Sequence, residues 1–328
     1  MYLIELNHNK IIKADSSQTI LEAARAAGIG LEHSCRSGRC GVCRTLLRSG
    51  TTEVIKPEIS LTDEDLLKGY ILTCCRTATS DVELDADDLG RVGQIRAQTL
   101  PCKIDNIVLC TADIIEITLR LPPAAKFDFV PGQYVDVLGK SGLRRSYSIA
   151  NAPRNDNKIT LHIRKVVDGA MSRYWFEEAK QEDLLRIEGP LGTFSVRDSS
   201  KKNLILLATG TGIAPIKAIL EDINIHQAKR FEKIDLYWGM RNSDEFYWHP
   251  TFDKLNFSIT QVTSTKEPDD TSTKCYVQHA VVDSGVVLSE CTAYACGSEI
   301  MIKDARELLI SKGLDNRHYY SDAFVSSN

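Results

Sequence analysis

The alternation of apolar and polar residues changes twice along the chain and divides it into three blocks. In the first block, alternating residues over Tyr2–Leu6 and near Ile11–Ile12 predict a β-hairpin. The stretch SSQTILEAARAAGI that follows has apolar residues at helical spacing, an N-cap signal in SSQT and Gly28 at its end, so it predicts a helix. Short strands combined with a helix predict a small α+β domain over residues 1–90.

The second block follows a predicted linker at 91–100 and spans 101–198. It is dense in alternating or β-branched segments: CKIDNIVLC, DIIEITLRL, QYVDVLG, RRSYSIA and KITLHIRKVV. Their spacing and the turns between them predict a small antiparallel β-barrel, with one helix near Ser172–Lys180. In the third block, 199–328, continuous apolar runs such as NLILLAT alternate with helical stretches. This alternation predicts an α/β domain with a parallel sheet.

Composition and charge narrow the range of partners. The chain has 328 residues, of which 43% are hydrophobic and 26% charged, with a net charge of −4. Because there is no basic surplus, we expect no nucleic-acid partner. No apolar run approaches the length of a membrane span, and the N-terminal residues do not follow a signal-peptide pattern. We therefore expect a cytoplasmic protein with no membrane partner.

Ten cysteines are many for a cytoplasmic protein, where clustered thiols more often bind metal than form disulfides. Three of them, Cys35, Cys40 and Cys43, lie in the loop HSCRSGRCGVC, and the doublet Cys74–Cys75 follows about thirty residues later. The spacing C-x4-C-x2-C…C is that of a plant-type [2Fe–2S] site, in which one loop supplies three thiolates and a distant strand the fourth. Zinc is the alternative, although structural zinc sites usually combine two C-x2-4-C pairs.

Along its whole length, the first block resembles a plant-type ferredoxin domain, which implies the β-grasp fold. The ferredoxin pattern G-x-x-L-x-C is matched by Gly69, Leu72 and Cys74. The resemblance therefore implies Cys74 as the fourth ligand and leaves Cys75 as a neighbouring buried thiol. The residues by themselves leave the choice between the two open.

The barrel segment RRSYSIA resembles the R-x-Y-S motif of the ferredoxin–NAD(P) reductase superfamily. The resemblance implies that Arg145 pairs with the pyrophosphate of a flavin and that Tyr147 packs on its isoalloxazine ring. It also implies that the hydroxyl of Ser148 reaches a polar edge of that ring. Taken alone, the four letters fit an ordinary strand equally well.

Two later segments favour the flavin interpretation. HIRKVVDGAMS resembles the second flavin motif of this superfamily, in which the backbone at Gly169, Met171 and Ser172 faces a phosphate at the start of a helix. GPLGTF, at Gly189–Phe194, matches the family pattern G-P-x-G-x-F. The expected flavin is FAD, with FMN as the alternative, since related reductases use either.

The third block carries the nicotinamide motifs. In ATGTGIAPI, the residues Gly210, Thr211 and Gly212 follow a buried strand and let the chain approach a pyrophosphate, although a tight strand–helix turn would look the same. The segment resembles the superfamily motif G-T-G-x-A-P. YACGSEIM resembles its second signature, which implies that Cys296 lies near the nicotinamide. A small buried thiol is the alternative for this residue.

Two features near the C-terminus complete the predicted site. The aromatic Phe324 and the acidic Asp322 match the family's C-terminal position, where a ring covers the flavin; an unstructured tail is the alternative. Where family members that select NADPH favour Ser-Arg, this chain has Ser264, Thr265 and Lys266. We therefore expect NADH.

The resemblance implies an electron path from NADH through FAD to the [2Fe–2S] cluster and then to a protein partner. No side-chain acid, base or nucleophile is assigned a catalytic role. Along the whole chain, the order of the domains is similar to that of reductases serving pyridoxamine-phosphate dehydrases in CDP-3,6-dideoxyhexose synthesis. It is also similar to that of the reductase components of ring-hydroxylating and other multicomponent oxygenases. A third possibility is a non-enzymatic metal-binding or redox-sensing module.

Overall fold

The computed structural model describes residues 1–139, 142–265 and 276–324. They form two compact units, one of Met1–Gln98 with Pro190–Phe194, the other of Thr99–Gly189 with the residues from Ser195 onward. In the described part of the chain, no helix combines the length and the apolar character needed to cross a membrane.

Residues 1–98 form a mixed sheet with an α-helix against it. The elements are β1 (Tyr2–Leu6), β2 (Lys10–Ala14), α1 (Ile20–Ala26), β3 (Arg44–Ser49), β4 (Thr52–Val54), α2 (Asp63–Leu67), β5 (Tyr70–Leu72), β6 (Arg76–Ala78), β7 (Val82–Leu84) and α3 (Arg91–Gln94). The main sheet has the order β2-β1-β7-β3-β5, with β1 antiparallel to β2 and parallel to β7. Thr19 caps α1, since its hydroxyl accepts from the Glu22 N–H while the Glu22 carboxylate accepts from the Thr19 N–H. The α+β, β-grasp prediction is confirmed.

The barrel follows directly. Its elements are β8 (Gln98–Thr111), β9 (Ile114–Arg120), β10 (Tyr134–Leu138), β11 (Arg144–Ser148), β12 (Lys158–Arg164), α4 (Ala170–Arg173), a π-helical turn (Tyr174–Glu178) and β13 (Leu184–Leu191). The strands have the order β11-β10-β13-β8-β9-β12, and a bridge between Ile149 and Leu161 joins the two outer strands. The antiparallel barrel prediction is therefore confirmed.

Two boundaries differ from the sequence expectation. The segment predicted as a linker, 91–100, contains α3 and the first residues of β8. The helix predicted near Ser172–Lys180 begins at Ala170, because the chain enters the helix directly after Gly169. It then widens into the π-helical turn, which ends at Glu178.

The last part of the chain is a parallel α/β sheet. Its elements are β14 (Asn203–Thr209), α5 (Ile213–His226), β15 (Lys233–Met240), β16 (Phe257–Thr263), α6 (Val277–Asp283), β17 (Cys291–Ser298), α7 (Glu299–Ser311) and β18 (Tyr319–Phe324). Short 3₁₀ turns lie at Asn7–Asn9, Gly210–Gly212, Ser243–Glu245, Leu288–Glu290 and Asn316–His318. The strand order is β16-β15-β14-β17-β18 and all four pairings are parallel, as predicted. The carboxyl ends of the strands consequently meet at one edge.

Candidate functional site

Four thiols of the first unit form two close pairs. The backbone N–H of Cys40 donates to the Sγ of Cys35 at 3.4 Å, and the N–H of Cys35 donates to the Sγ of Cys40 at 3.5 Å. In the second pair, the Sγ atoms of Cys43 and Cys74 lie 3.2 Å apart. Because β3 and β5 are antiparallel neighbours, the residue just before β3 meets the turn just after β5. The sheet thereby brings the distant cysteine to the loop.

The cysteine loop depends on a glycine at position 38. Gly38 has a φ of +75°, which is unfavourable for residues with a Cβ atom. A Cβ there would lie 2.0 Å from the carbonyl oxygen of Pro57 and 2.8 Å from the Sγ of Cys75. The Gly38 carbonyl also accepts a hydrogen bond from the Ser60 N–H at 3.0 Å. The loop is therefore held closely against residues 57–60.

Hydrogen bonds within each pair favour a thiolate on one of its members. The hydrogen bond from Cys40 lowers the pKa of Cys35 to about 4, and the one from Cys43 lowers the pKa of Cys74 to about 7. The thiols that donate these side-chain hydrogen bonds are affected in the opposite direction. Donation, together with burial, raises the pKa of Cys40 and of Cys43. Since thiolates are the forms that bind iron, the loop already favours the required charge on one sulfur of each pair.

Two pairs of thiols fit a [2Fe–2S] cluster, which offers two iron atoms to four protein sulfurs. A structural zinc ion instead needs its four ligands around one point. Within the residues described, no group of three or more His, Cys, Asp or Glu side chains is arranged to hold a single metal ion. The fifth thiol, Cys75, lies beside the pairs, with its Sγ 3.5 Å from that of Cys74 and 3.4 Å from the carbonyl oxygen of Pro57, to which it donates.

In the second unit, β11 carries the three residues of the first flavin motif. Side chains alternate along a strand, so Arg145 and Tyr147 share one face and Ser148 lies on the other. The neighbouring Arg144 is held by the buried Asp136, whose carboxylate accepts from the Arg144 Nε at 2.7 Å. Arg144 therefore stabilises the β10–β11 pair, while Arg145 stands on the face of Tyr147.

The ring of Tyr147 is fixed from the side. Its hydroxyl accepts a hydrogen bond from the indole N–H of Trp175 at 3.0 Å, and the two rings meet edge to face. Burial raises the pKa of Tyr147 to about 12, so the phenol is neutral at ordinary pH. The side chain thus offers a flat, uncharged ring, which suits packing on an isoalloxazine.

The second flavin motif lies at α4. The hydroxyl of Ser172 accepts from the Val166 N–H at 2.9 Å, which closes the turn that leads to Gly169. Met171 is buried in the barrel core, and a Cβ at Gly139 would lie 2.9 Å from its sulfur. Gly139 connects β10 to the segment before β11, so this packing brings α4 next to the strand of the first motif. The side chain of Met171 has a packing role, which leaves its backbone for any phosphate contact.

The nicotinamide motif forms the turn between β14 and α5, at Gly210, Thr211 and Gly212. A Cβ at Gly212 would lie 2.2 Å from the carbonyl oxygen of Cys296, so only glycine permits this approach of β17. The carbonyl of Gly210, where φ is +57°, accepts a hydrogen bond from the indole N–H of Trp238 at 3.0 Å. The two predicted nicotinamide segments therefore pack directly against each other.

Cys296 and Phe324 lie at the same edge of the parallel sheet. In the register of the strands, Cys296 is opposite Ala208 of β14 and Asp322 of β18. Cys296 is fully buried, and burial raises the pKa of its thiol well above the usual range. Phe324 pairs with Ser298 at the end of β18 and is 40% exposed. Phe324 thus belongs to strand β18, and the alternative of an unstructured tail does not apply to it.

The residues considered for NADH selection follow β16. The N–H groups of Ser264 and Thr265 donate to the carbonyl oxygens of Met240 and Arg241, each at 3.0 Å. These two hydrogen bonds join the end of β16 to the end of β15. They lie at the position where family members that select NADPH favour Ser-Arg. Lys266, the third residue of that prediction, lies outside the described residues.

A polar network that no sequence motif predicts joins β12 to the segment after β15. The ring of His162 is hydrogen bonded on both sides, with Nε2 3.2 Å from a carboxylate oxygen of Glu116 and Nδ1 3.0 Å from the hydroxyl of Tyr247. Arg164 donates to Glu245 at 2.7 Å. Glu245 and Tyr247 lie more than eighty residues from their partners along the chain, and Glu116 lies 46 residues from His162, so no local pattern indicates these pairings.

Three family descriptions match separate parts of the chain. A 2Fe-2S iron-sulfur cluster binding domain matches residues 4–79, an oxidoreductase FAD-binding domain residues 101–196, and an oxidoreductase NAD-binding domain residues 206–307. The three matches follow the order of the three blocks. They establish that the protein binds a [2Fe–2S] cluster, FAD and NADH.

Curated relatives extend this similarity to the whole chain. The CDP-6-deoxy-L-threo-D-glycero-4-hexulose-3-dehydrase reductase of Yersinia pestis is 42% identical over 97% of the chain and 96% of the relative. Reductase component 1 of terephthalate 1,2-dioxygenase from Comamonas sp. is 30% identical over 94% of the chain and 93% of the relative. Among solved structures, the cytochrome P450 reductase GcoB of Amycolatopsis has a TM-score of 0.77 at 24% identity, over 99% of both chains, which supports the fold.

Proposed function

The chain belongs to the family of NADH-dependent reductases that join a [2Fe–2S] domain, an FAD-binding domain and an NAD-binding domain, and we propose that its electron acceptor is a dehydrase of CDP-linked deoxysugar synthesis. Electrons pass in this family from NADH through FAD and the cluster to a protein partner. When bound, FAD and the cluster convert a hydride transfer into single-electron transfers. The chain supplies their binding and orientation.

For the cluster, the proposed ligands are Cys35, Cys40, Cys43 and Cys74. Two observations support this set: the thiols form two close pairs, and one sulfur of each pair is stabilised as a thiolate. Gly38 keeps the loop against residues 57–60, where a larger residue would clash with backbone. The chain therefore holds the loop close to residues 57–60 and favours the thiolate on two of the four proposed ligands, Cys35 and Cys74.

For the flavin, the proposed contacts are Arg145, Tyr147 and Ser148 on β11, with the backbone of Gly169, Met171 and Ser172 at α4. The guanidinium of Arg145 suits a pyrophosphate, with which it can form charge-assisted hydrogen bonds. Because the phenol of Tyr147 stays neutral, its ring can pack on the flavin at any ordinary pH. These residues bind and orient, and none is assigned a proton transfer.

For the nicotinamide, the proposed contacts are Gly210, Thr211, Gly212 and Cys296, with Phe324 covering the flavin. The turn after β14 leaves room for a pyrophosphate because its glycines carry no side chains. Burial keeps Cys296 a neutral thiol, which does not suit nucleophilic attack, and its proposed role is therefore to lie near the nicotinamide within the packed edge of the sheet. Selection of NADH over NADPH at residues 264–266 is part of the same proposal.

One observation carries the choice of acceptor. Identity to the hexulose-dehydrase reductase is 42% along almost the entire chain, whereas identity to the reductase component of terephthalate dioxygenase is 30% over a similar length. A pyridoxamine-phosphate dehydrase acting on a CDP-linked hexulose is therefore the favoured partner. A multicomponent oxygenase is the second candidate, because relatives of this kind share all three domains.

The test is a reconstitution under anaerobic conditions. The purified reductase is titrated with NADH or NADPH and then mixed with a dehydrase and its CDP-hexulose, or with a ring-hydroxylating oxygenase and its aromatic substrate. We expect NADH to bleach the flavin and cluster absorbance, and turnover to follow with the dehydrase. Turnover with the oxygenase alone would reverse the assignment of the partner. A spectrum that does not change on adding NADH would contradict the electron path.

We further propose that the protein works in the cytoplasm. The nine cysteines in the described ranges 1–139, 142–265 and 276–324 are all free of disulfide bonds. Unpaired thiols in this number are expected in a reducing compartment. Cell fractionation with an antibody against the native protein, compared with known cytoplasmic and membrane markers, tests this location.

A further inference from the structure

A tryptophan on the barrel's only π-helical turn among the described residues contacts the proposed flavin residue Tyr147. The indole N–H of Trp175 donates to the Tyr147 hydroxyl at 3.0 Å, and the two ring planes meet at 82° with their centroids 6.1 Å apart. An indole N–H is only a donor, so this bond fixes the direction from which the phenol oxygen accepts. Both the hydroxyl and the ring plane are therefore held by one neighbour.

The π-helical turn explains how Trp175 reaches this position. A π-helix forms its hydrogen bonds between residues i and i+5, so it changes the directions of the side chains relative to those of an α-helix. Here the helix widens from α4 into the turn Tyr174–Glu178, and Tyr174 and Trp175 are 9% and 2% exposed. The Tyr174 hydroxyl donates to Asp183, the residue before β13, at 3.0 Å, so it has a different partner from the Trp175 indole. Turns of this kind often occur at functional sites.

We propose that Trp175 is a positioning residue for the flavin, holding the ring of Tyr147 in the plane that packs on the isoalloxazine. The inference rests on the proposed function, because it takes Tyr147 as a flavin contact. Without the indole N–H, the phenol ring would turn more freely about its side-chain bonds, and ordering it would oppose flavin binding. Trp175 therefore acts through Tyr147 and makes no contact with the reacting atoms.

The experiment is a double-mutant cycle on the full chain, with Trp175→Phe, Tyr147→Phe and both together. The readouts are the dissociation constant of FAD, from the recovery of flavin fluorescence, and the midpoint potential of the bound flavin. We expect Trp175→Phe to weaken FAD binding about fivefold, since a net hydrogen bond contributes about 1 kcal/mol. In the Tyr147→Phe background, where the acceptor oxygen is absent, the same substitution should weaken FAD binding less and change the potential less than it does in the wild type.

A matched control comes from the same turn. Tyr174→Phe removes the hydrogen bond to Asp183 but keeps the ring, and it should leave FAD affinity and potential unchanged. If Trp175→Phe weakens binding equally in both backgrounds, or has no effect in either, Trp175 serves only the core and the inference is wrong. Any loss of packing volume affects both backgrounds alike, so the comparison removes it.

Failure of the proposed function gives a different result. Tyr147→Ala removes the ring itself and should weaken FAD binding more than any other variant in the set. If this variant binds FAD as the wild type does, Tyr147 is not a flavin contact, and the assignment of the site falls together with the inference. If it binds weakly while Trp175→Phe binds normally, the site assignment stands and the inference alone is overturned.

Discussion

Two adjacent thiols at the end of β5 differ in what their sulfurs contact. The Sγ of Cys74 lies 3.2 Å from that of Cys43, whereas the Sγ of Cys75 donates to the carbonyl oxygen of Pro57 at 3.4 Å. A backbone turn separates their directions, although both are buried. Exposure therefore does not distinguish the two cysteines, and their neighbours do.

We expect Cys74→Ser to lose the cluster and Cys75→Ser to retain it. A hydroxyl is a poor substitute for a thiolate ligand of iron, while Cys75 is hydrogen bonded to backbone. Iron and acid-labile sulfide, measured per protein together with the visible absorbance, check this. If Cys75→Ser lacked iron and Cys74→Ser contained it, Cys75 would be the fourth ligand and Cys74 the neighbouring thiol.

The arginines of β11 also differ in their partners. Arg144 is held by Asp136 and Glu188, and Arg145 lies on the face of Tyr147. We expect Arg145→Ala to weaken FAD binding roughly 10- to 100-fold, because a charge-assisted hydrogen bond contributes about 1.5–3 kcal/mol. Equilibrium dialysis of FAD measures the change. Arg120→Ala, which removes an arginine elsewhere on the barrel, is the control and should bind FAD normally.

At the scale of elements, the nicotinamide edge is built by the close approach of β17 to the turn after β14. The approach is close at two points, since a Cβ at Gly212 would lie 2.2 Å from the Cys296 carbonyl oxygen and a Cβ at Gly297 2.0 Å from the Thr209 hydroxyl. Strand pairing alone does not require such contacts. They determine how far apart the two nicotinamide segments lie.

We expect Gly212→Ala to slow reduction of the flavin by NADH on the order of 10²-fold, because displacing a bound reactant by about 1 Å has an effect of this size. Stopped-flow absorbance measures the rate, and reduction by dithionite should be unaffected. Gly285→Ala is the control: it has a φ of +71° but open space around it, so it should lower stability without changing the NADH rate. Equal rates in Gly212→Ala and the wild type would contradict the role of the contact.

The network around His162 predicts a dependence of stability on pH. Burial lowers the pKa of His162, and the hydrogen bond from His162 lowers the pKa of Glu116. The imidazole is therefore neutral in the folded protein, donating to Glu116 and accepting from Tyr247. Once the pH falls below about 6.5, the unfolded chain binds a proton on this histidine that the folded chain resists, so stability decreases with falling pH.

We expect the melting temperature to fall between pH 7.5 and pH 5.5, with a contribution from His162 of at most about 1.4 kcal/mol per pH unit. Differential scanning calorimetry at both pH values measures the change. His162→Gln should reduce this dependence, and the exposed His249→Gln should not. An unchanged pH dependence in His162→Gln would show that other groups cause it.

At the scale of the molecule, the three cofactor domains separate two kinds of electron transfer. One is hydride transfer from NADH to FAD, and the other is single-electron transfer through the cluster. The flavin motifs at β11 and α4 and the nicotinamide motifs lie in the second unit, while the cysteine pairs and residues 190–194 of the segment GPLGTF lie in the first. Each unit has its own hydrophobic core. Loss of the cluster should therefore leave the chemistry of the second unit intact.

We expect Cys74→Ser to oxidise NADH with ferricyanide, which accepts electrons from the flavin, at close to the wild-type rate. The same protein should not transfer electrons to the dehydrase, because the cluster is the last carrier before the partner. Parallel assays with the two acceptors check this. Equal loss of both activities would indicate that the cluster domain is needed for the flavin domain to fold or bind FAD.

The sequence by itself determined the types of domain and the regular part of the site. Alternation over a few residues predicted the hairpin, barrel and parallel sheet, because side-chain periodicity is local. The spacing of Cys35, Cys40 and Cys43 placed three thiols on one loop for the same reason. Resemblance to reductase motifs supplied the residues of β11 and of the turn after β14, whose roles stay predictions.

Only the tertiary structure decided which distant side chains meet. The bond between Trp175 and Tyr147, the approach of Gly212 to Cys296 and the pairing of Cys43 with Cys74 each join residues from different elements. No local period encodes these contacts, because they depend on strand order, on register and on a π-helical turn that turns Trp175 toward β11. Packing of whole elements, set by burial of their apolar faces, determines such distances.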